Sequence, residues 1–387
     1  MHTNINDILS IDDQLSPTEL EFRSRIRDLV DHKIRPHVGE WFANATFPTE
    51  LIPALGEAEM FGTTLHGYDC PGRSAVEYGL GALELEAGDS GIRTLVSVQG
   101  SLAMNAIHKW GSEEQKTTCL PAMARGELVG CFGLTEPTAG SDPASMTTTA
   151  TRDGDDWILT GSKRWIGLAS IAQIAVIWAR TVDGVRGFVV PTATEGFSAV
   201  PIPRKLSMRT SIQCDITLES VRVPDNAMLP KATGLGAALA CLNDARYGIA
   251  WGAIGAARDS YEAAVTYAQN RTQFDAPIAS FQLTQAKLVD MMIAVQTGTL
   301  LALHLGRLKD KAALTPAQVS LAKLSNVRNA IEVCREARTI FGGNGVTTEY
   351  SPLRHSLNLD SVRTYEGTDE MHTLILGQTI TGIPAFR

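Results

Sequence analysis

"TTTATRDGDDWILTGSKRWIG", residues 147–167, decides how the chain is read. Two short runs suited to strands flank Asp153–Gly154, a dipeptide that closes two-residue hairpins. "QIAVIWARTVDGVRGFVVP" (173–191) repeats the signal around Asp183–Gly184, and proline recurs at 191, 201, 203, 224 and 230. The pattern predicts a β-domain, a small barrel or sandwich.

The sequence on both sides is helical. "SPTELEFRSRIRDLVDHKI" (16–34) opens with Ser16 as an N-cap. Glu19 stands three residues on, as in a capping box, and Phe22, Ile26, Leu29 and Val30 follow at helical spacing. "EYGLGALELEAGDSG" and "SLAMNAIHKWG" each end in Gly, as helices often do. After residue 235, three long segments carry apolar or small residues every three or four positions, which predicts an antiparallel bundle. The expected architecture is α+β and mostly helical: an N-terminal helical domain (1–130), a middle β-barrel-like domain (131–232) and a C-terminal helical bundle (233–387).

Composition narrows the function. Of 387 residues, 44% are apolar and 20% charged, the balance of a soluble globular protein. The net charge of −8 supplies no field to gather nucleic acid or anionic lipid. No uninterrupted apolar run approaches the ~18 residues of a membrane span. The start, "MHTNINDILSIDDQLSP", has neither an apolar core nor the Arg-rich character of a targeting segment. Cys70, Cys119, Cys131, Cys214, Cys241 and Cys334 are scattered, without a C-x-x-C pair. They read as buried thiols of a reducing compartment, and a cytoplasmic location is expected. Nicotinamide, Walker, zinc-protease and serine-hydrolase signatures are missing, and the eight histidines show no ligand spacing, so no metal site is expected.

Five stretches carry candidate chemistry, each with an ordinary structural alternative. "CFGLTEPTAGSDPAS" (131–145) could bind a polar ring or phosphate, or be a surface turn that satisfies itself. Trp165 in "GSKRWIG" could stack on a flat ligand or lie in the core. Arg271 in "NRTQFDAPIASFQ" could grip a phosphate or cap a helix. "FGGNG" (341–345) could stop a helix or admit a pyrophosphate. Glu366 in "TYEGTDEMHTLILG" (364–377) could be an exposed acid at a helix start or a base that removes a proton.

In this order and spacing the stretches resemble the acyl-CoA dehydrogenase family over nearly the whole chain. "ELEAGDSGIRTLVSVQGSLAM", "GSEEQ", "GELVGCFGLTEPTAGSDPASM", "CLNDARYGIAWGAIGA", "GRLKD", "GGNG" and "TYEGTDEMHTLILGQTITGIPAF" carry the likeness. The last string and the region of Arg93 point to the glutaryl branch of that family.

The resemblance implies a helical domain, a β-domain and a four-helix bundle that bind FAD across a subunit interface, usually in a dimer of dimers and hence a homotetramer. Glu366 falls at the family's catalytic base. Leu134, Thr135, Trp165 and Ile166 fall at the flavin ring. Arg271, Phe274 and Gln282 would hold the ADP part, with Gly342 and Gly343 from a neighbouring subunit, and Thr368 and Glu370 would reach the cofactor after the base. Ser141, Asp244 and Arg246 would lie along a CoA thioester. Arg93 would bind a free carboxylate at the far end of the acyl chain, with Thr94, Glu86 and Tyr365 around it; its structural alternative is an i,i+4 pair with Asp89. The implied reaction is oxidative decarboxylation of glutaryl-CoA to crotonyl-CoA, with electrons passed to electron-transferring flavoprotein.

Two stretches depart from the family pattern. Gly167 stands where a Thr hydroxyl usually bonds the flavin, and "KLSMRTSIQCDI" (205–216) differs from the usual loop beside flavin and base. Two other readings stay open: a dehydrogenase or oxidase of another acyl-CoA or carrier-protein thioester, and a non-catalytic interaction protein with the same fold.

Overall fold

The computed structural model describes residues 7–385. The first six residues of the expected N-terminal domain and the last two of the C-terminal one, including the Phe386 that closes the quoted string, lie outside them. Seven helices come first: α1 (Pro17–Leu29), α2 (Val38–Asn44), α3 (Leu51–Glu57), α4 (Ala75–Gly88), α5 (Ser90–Val96), α6 (Asn105–Trp110) and α7 (Glu113–Ala124). The capping box read from the sequence starts α1. Ser16 Oγ accepts the Glu19 N–H at 3.3 Å, and the Glu19 carboxylate accepts the Ser16 N–H at 2.8 Å. Ser74 with Glu77, and Ser112 with Gln115, start α4 and α7 in the same way. Between α5 and α6 the chain winds on as a π-helix over Ser97–Met104, a wider coil that recurs at functional sites.

One mixed seven-stranded sheet follows and curls into a half-barrel. Its strands are β1 (Gly130–Gly133), β2 (Thr149–Asp153), β3 (Asp156–Gly167), β4 (Ile174–Thr181), β5 (Gly184–Pro191), β6 (Phe197–Pro201) and β7 (Gln213–Pro224). The two Asp–Gly turns close the β2–β3 and β4–β5 hairpins. The order is β1-β4-β2-β3-β7-β6, with β5 also on β4. Beneath the loop after β1, Glu136 and Lys163 form a fully buried ion pair at 2.8 Å. Glu136 also takes the N–H groups of Thr147 and Thr148, at 2.6 and 2.9 Å.

The last part contains α8 (Leu235–Asn270), a short hairpin of β8 (Thr272–Gln273) and β9 (Ala276–Pro277), α9 (Gln282–Asp310), α10 (Pro316–Ile340), α11 (Ser351–Val362) and α12 (Asp369–Thr381). By length and composition alone α9 could cross a membrane; here it is a bundle member packed along α8 and α10. The helical bundle and the N-terminal domain are not separate bodies. Every residue of α4 is buried, and α4 packs along α8. The backbones touch: a Cβ on Gly255 would sit 1.9 Å from the Leu83 carbonyl oxygen. This seam carries the candidate site.

Burial pushes the Glu136 carboxyl up, but the bonds from Lys163 and the Thr147–Thr148 amides outweigh it and hold it at about 2. Its folded pKa lies below the ordinary 4.5, so its stabilising contribution is complete above about pH 4.5 and is lost as pH falls toward 2. Lys163→Met should destabilise the protein at neutral pH by ~3 kcal/mol, because it strands a buried carboxylate. It should also flatten the loss of stability between pH 4.5 and 2. Urea unfolding at several pH values measures both.

Candidate active site

Glu366 lies in the turn between α11 and α12 with left-handed backbone, φ 54°. Three consecutive carbonyls of this turn face two cations. Arg246, from α8, donates its Nε to the Glu366 oxygen at 2.6 Å. Lys323, two turns into α10, donates its Nζ to the Tyr365 and Gly367 oxygens, both at 2.6 Å. The helix start is assigned to other residues. Thr368 caps α12 by accepting the Met371 N–H at 3.3 Å, and Asp369 and Glu370 fill the first turn. Glu366 as a residue is half-buried, but its Oε2 is sealed and has no hydrogen-bond partner among the described residues. Burial pushes its carboxyl above the ordinary glutamate range, while the charges of Arg93, Lys323 and Arg246 pull against that. A carboxylate with a raised pKa and an unpaired oxygen can accept a proton from a group placed beside it.

Arg93, on α5, is 1% exposed. Its Nε donates to Glu86 Oε2 at 2.6 Å, and an Nη2 hydrogen goes to the Tyr365 hydroxyl. Tyr365 therefore joins the arginine to the residue beside Glu366. Arg93 Nη1 and Glu86 Oε1 are buried without partners among the described residues, and the buried Thr94 and Ser97 hydroxyls face Tyr365 and Tyr78. Buried polar atoms are rarely left without partners, and two together mark a place for a polar ligand. The alternative pairing of Arg93 with Asp89 is not formed. Asp89 is the N-cap of α5, and its carboxylate accepts from Gly91 N–H at 2.7 Å, from Arg354 at 2.5 Å, from Asn358 at 3.0 Å and from the Thr210 hydroxyl. Gly252 on α8 makes room for the Glu86–Arg93 pair: a Cβ there would lie 2.0 Å from Glu86 Oε2.

The sheet supplies a flat face. Register shifts in the β3–β7 ladder between Lys163 and Ile166 put Trp165 in left-handed backbone, φ 63°, and leave it 52% exposed. A bulge has turned it out of the core. Leu134 and Ile166 are buried beneath, and the Arg164 N–H bonds the Thr135 carbonyl at 2.8 Å. Ser141 is exposed on the loop that Glu136 organises. Val98 packs toward bare Gly167, 3.0 Å from where a Cβ would stand. The loop 205–213 is pinned at both ends. Lys205 donates to the Met208 and Ser211 carbonyls at 2.9 and 2.5 Å, and Arg209 reaches the Phe42 and Ala43 carbonyls at the end of α2.

Not all the expected site residues come together. Asp244 and Arg246 are two residues apart on α8, about 200° around the helix, and face different ways. Asp244 accepts from Asn105 at 2.9 Å and Lys109 at 2.5 Å, and from Lys309, in a polar cleft of about 380 Å³. Asn243, not Asp244, bonds Arg246, at 2.9 Å. Arg271, Phe274 and Gln282 are exposed at the far end of α8. Gly342 and Gly343 lie at that same end, because Asn344 bonds the Tyr267 hydroxyl at 3.0 Å, one turn before Arg271. Twenty-five residues of helix put this end ~37 Å from Arg246.

The residues present fit a flavin. An exposed indole at a strand end offers a stacking surface, and a Cβ on Gly342 or Gly343 would meet nothing in this chain, which leaves an open backbone cradle for a phosphate. Among the described residues no cluster could hold a metal ion.

Fold and site together define a flavin-dependent oxidoreductase. The chain belongs to the acyl-CoA dehydrogenase family: models of its N-terminal, middle and C-terminal domains match residues 16–127, 131–221 and 232–381. It is therefore an FAD-dependent acyl-CoA dehydrogenase. It is similar to a glutaryl-CoA dehydrogenase from Mycobacterium smegmatis solved in complex with FADH2, with 52% identity, TM-score 0.98 and 99% of each chain covered. A second crystal structure of glutaryl-CoA dehydrogenase from that organism is 58% identical, with TM-score 0.97 and 99% of each chain covered. It is also similar to the human mitochondrial short-chain specific acyl-CoA dehydrogenase, 32% identical over 94% of this chain and 90% of that one.

Lys323 and His372 went unnoticed in the sequence. His372 is 1% exposed, and its ring lies against Gly367, whose backbone is its polar neighbour. Burial and the nearby charges of Lys323 and Arg246 hold it neutral, at about 3. Both residues sit inside ordinary amphipathic patterns, where nothing marks a buried polar group.

Gly252→Ala should fold but lose ~1–3 kcal/mol, because its methyl group displaces the Glu86 carboxylate from Arg93. Thermal unfolding measures the loss. A Tm equal to wild type would mean that the seam yields without disturbing the pair.

Proposed function

We propose that the enzyme dehydrogenates glutaryl-CoA and releases CO2 to give crotonyl-CoA, with Glu366 as base and Arg93 as the anchor of the distal carboxylate. One observation carries this reading: a sealed, unpartnered Glu366 oxygen lies within the field of a buried arginine that still has an unused Nη1 edge. The first asks for a proton and the second for an anion.

In the proposed reaction FAD supplies the two-electron acceptor for the hydride that leaves the β-carbon. The Glu366 carboxylate takes the α-proton, which is acidified by the adjacent thioester. Arg93, steadied by Glu86 and Tyr365, holds the distal carboxylate together with the Thr94 hydroxyl. Loss of H⁺ and hydride converts glutaryl-CoA to glutaconyl-CoA. The γ-carboxylate then leaves as CO2, and its bonding electrons enter the dienolate. Glu366, now protonated, returns its proton to the dienolate and crotonyl-CoA results.

The remaining assignments belong to the same proposal. Leu134, Thr135, Trp165 and Ile166 face the flavin ring, Thr368 and Glu370 follow the base toward the cofactor, and Arg246 and Ser141 lie along the thioester. Arg271, Phe274, Gln282, Gly342 and Gly343 bind the ADP part. They share one end of the bundle, ~37 Å along α8 from Arg246, so we infer that a second copy supplies this whole set. Apolar Leu283, Val289 and Ile293 of α9 and Leu321 of α10 are exposed on the single chain, which suits assembly into a tetramer. Electron-transferring flavoprotein is the proposed acceptor.

A second reading has support of its own. Glu86 already neutralises Arg93, so a substrate carboxylate would bring a surplus negative charge to a buried place. That favours a short acyl chain without a distal acid, as does the similarity to short-chain enzymes.

Anaerobic flavin bleaching with glutaryl-CoA and butyryl-CoA, with product mass and labelled CO2, separates the two. The proposal expects bleaching, CO2 and crotonyl-CoA from glutaryl-CoA. Arg93→Ala combined with Glu86→Gln, which removes both charges, should cut kcat/KM on glutaryl-CoA by roughly 30- to 1000-fold. Butyryl-CoA should be affected far less. Equal losses on both substrates would make the pair structural, and glutaconyl-CoA as the final product would reject decarboxylation.

A further inference from the structure

Lys323 is buried two turns into α10, 1% exposed. Taking an ammonium out of water costs several kcal/mol unless strong acceptors replace the water. Its hydrogen bonds run to two neutral backbone carbonyls, those of Tyr365 and Gly367. These are the residues on either side of Glu366. Between them Glu366 adopts φ 54°, a left-handed conformation that is strained for a residue with a side chain. A single ammonium thus bridges the strained peptide from both sides.

We propose that Lys323 is a positioning residue for the reaction: by clamping the Tyr365 and Gly367 carbonyls it holds Glu366 in its left-handed turn and fixes where the carboxylate points. The inference rests on the reading of Glu366 as the base. Arg246 completes the clamp from α8 through the Glu366 carbonyl. The charged and titratable groups facing Lys323 are Glu366, Arg246, Arg93, Asp369 and His372, and the Tyr365 ring centre is 5.8 Å from its Nζ. Burial lowers the Lys323 ammonium, the Glu366 carboxylate partly offsets it and Arg246 adds to it, which together hold the group at about 7. Lysine and carboxylate therefore share one field, and the lysine both holds the base and makes its charged form cheaper to keep.

Two variants of the FAD-loaded enzyme separate these effects. Lys323→Gln retains N–H donors for the carbonyls but removes the charge. Lys323→Met removes both. Glu366 works unprotonated, so activity rises with pH through its pKa, and loss of a nearby cation raises that pKa. The acid limb of the kcat/KM profile should move to higher pH by about one unit in both variants. Backbone amide exchange over residues 364–369, measured without substrate, should quicken by roughly tenfold or more in Lys323→Met and less in Lys323→Gln. KM should change little while kcat falls, further in Lys323→Met. If Lys323→Met does not fold, the acid limb of Lys323→Gln decides. Wild-type acid limbs and exchange in the variants that fold would overturn the inference. Glu366→Gln is the control. If it stays active, the base assignment is wrong; if it is inactive while the lysine variants match wild type, only the role of Lys323 is wrong.

Discussion

The site depends on keeping one carboxylate oxygen away from both water and a direct partner. An isolated buried carboxylate is costly and would ordinarily take up a proton or acquire a salt bridge. The sealed Glu366 oxygen has no salt-bridge partner among the described residues, and three cations sit near it while committed elsewhere. Arg93 bonds Glu86 and Tyr365, Lys323 bonds two carbonyls, and Arg246 bonds a third. Their fields lower the cost of the charge without quenching it by contact. That compromise suits the proposed role of Glu366 as base for a weakly acidic carbon: its pKa is raised and no contact quenches it.

The packing of α4 against α8 makes the arrangement possible. Small residues on α8 let the helices touch, so Glu86 and Arg93 can be sealed between them, and Arg246 leaves the same helix two turns earlier. Asp89 ties the start of α5 to Arg354 and Asn358 of α11 and to Thr210 of the loop before β7. The helix that carries Arg93, the helix that leads into the Glu366 turn and that loop are therefore held by one set of buried polar contacts. A shift in any of these elements would move the others.

Much of this was legible in the sequence, for identifiable reasons. The helix, sheet, helix order follows from changes in periodicity and from two Asp–Gly turns, all local signals. The α1 capping box was legible because its partners are three residues apart. Glu366, Arg93, Glu86 and Tyr365 were named together and lie together. Trp165 was ambiguous because a bulge, not the residue type, turns it outward. Asp244 and Arg246 were placed together along the thioester by the family resemblance, and helical geometry sets them on different faces of α8. Lys323 was overlooked because a lysine in "SLAKLSNVRNA" reads as a solvated helix face, and only tertiary packing buries it.

Removal of the α-proton by the Glu366 carboxylate can be isolated from hydride transfer with an acyl-CoA whose β-carbon is replaced by sulfur, so that no hydride can leave, incubated with the enzyme in D2O. Wild type should wash deuterium in at the α-carbon, and Glu366→Gln should do so no faster than background. Exchange at the wild-type rate in Glu366→Gln would mean that another group is the base.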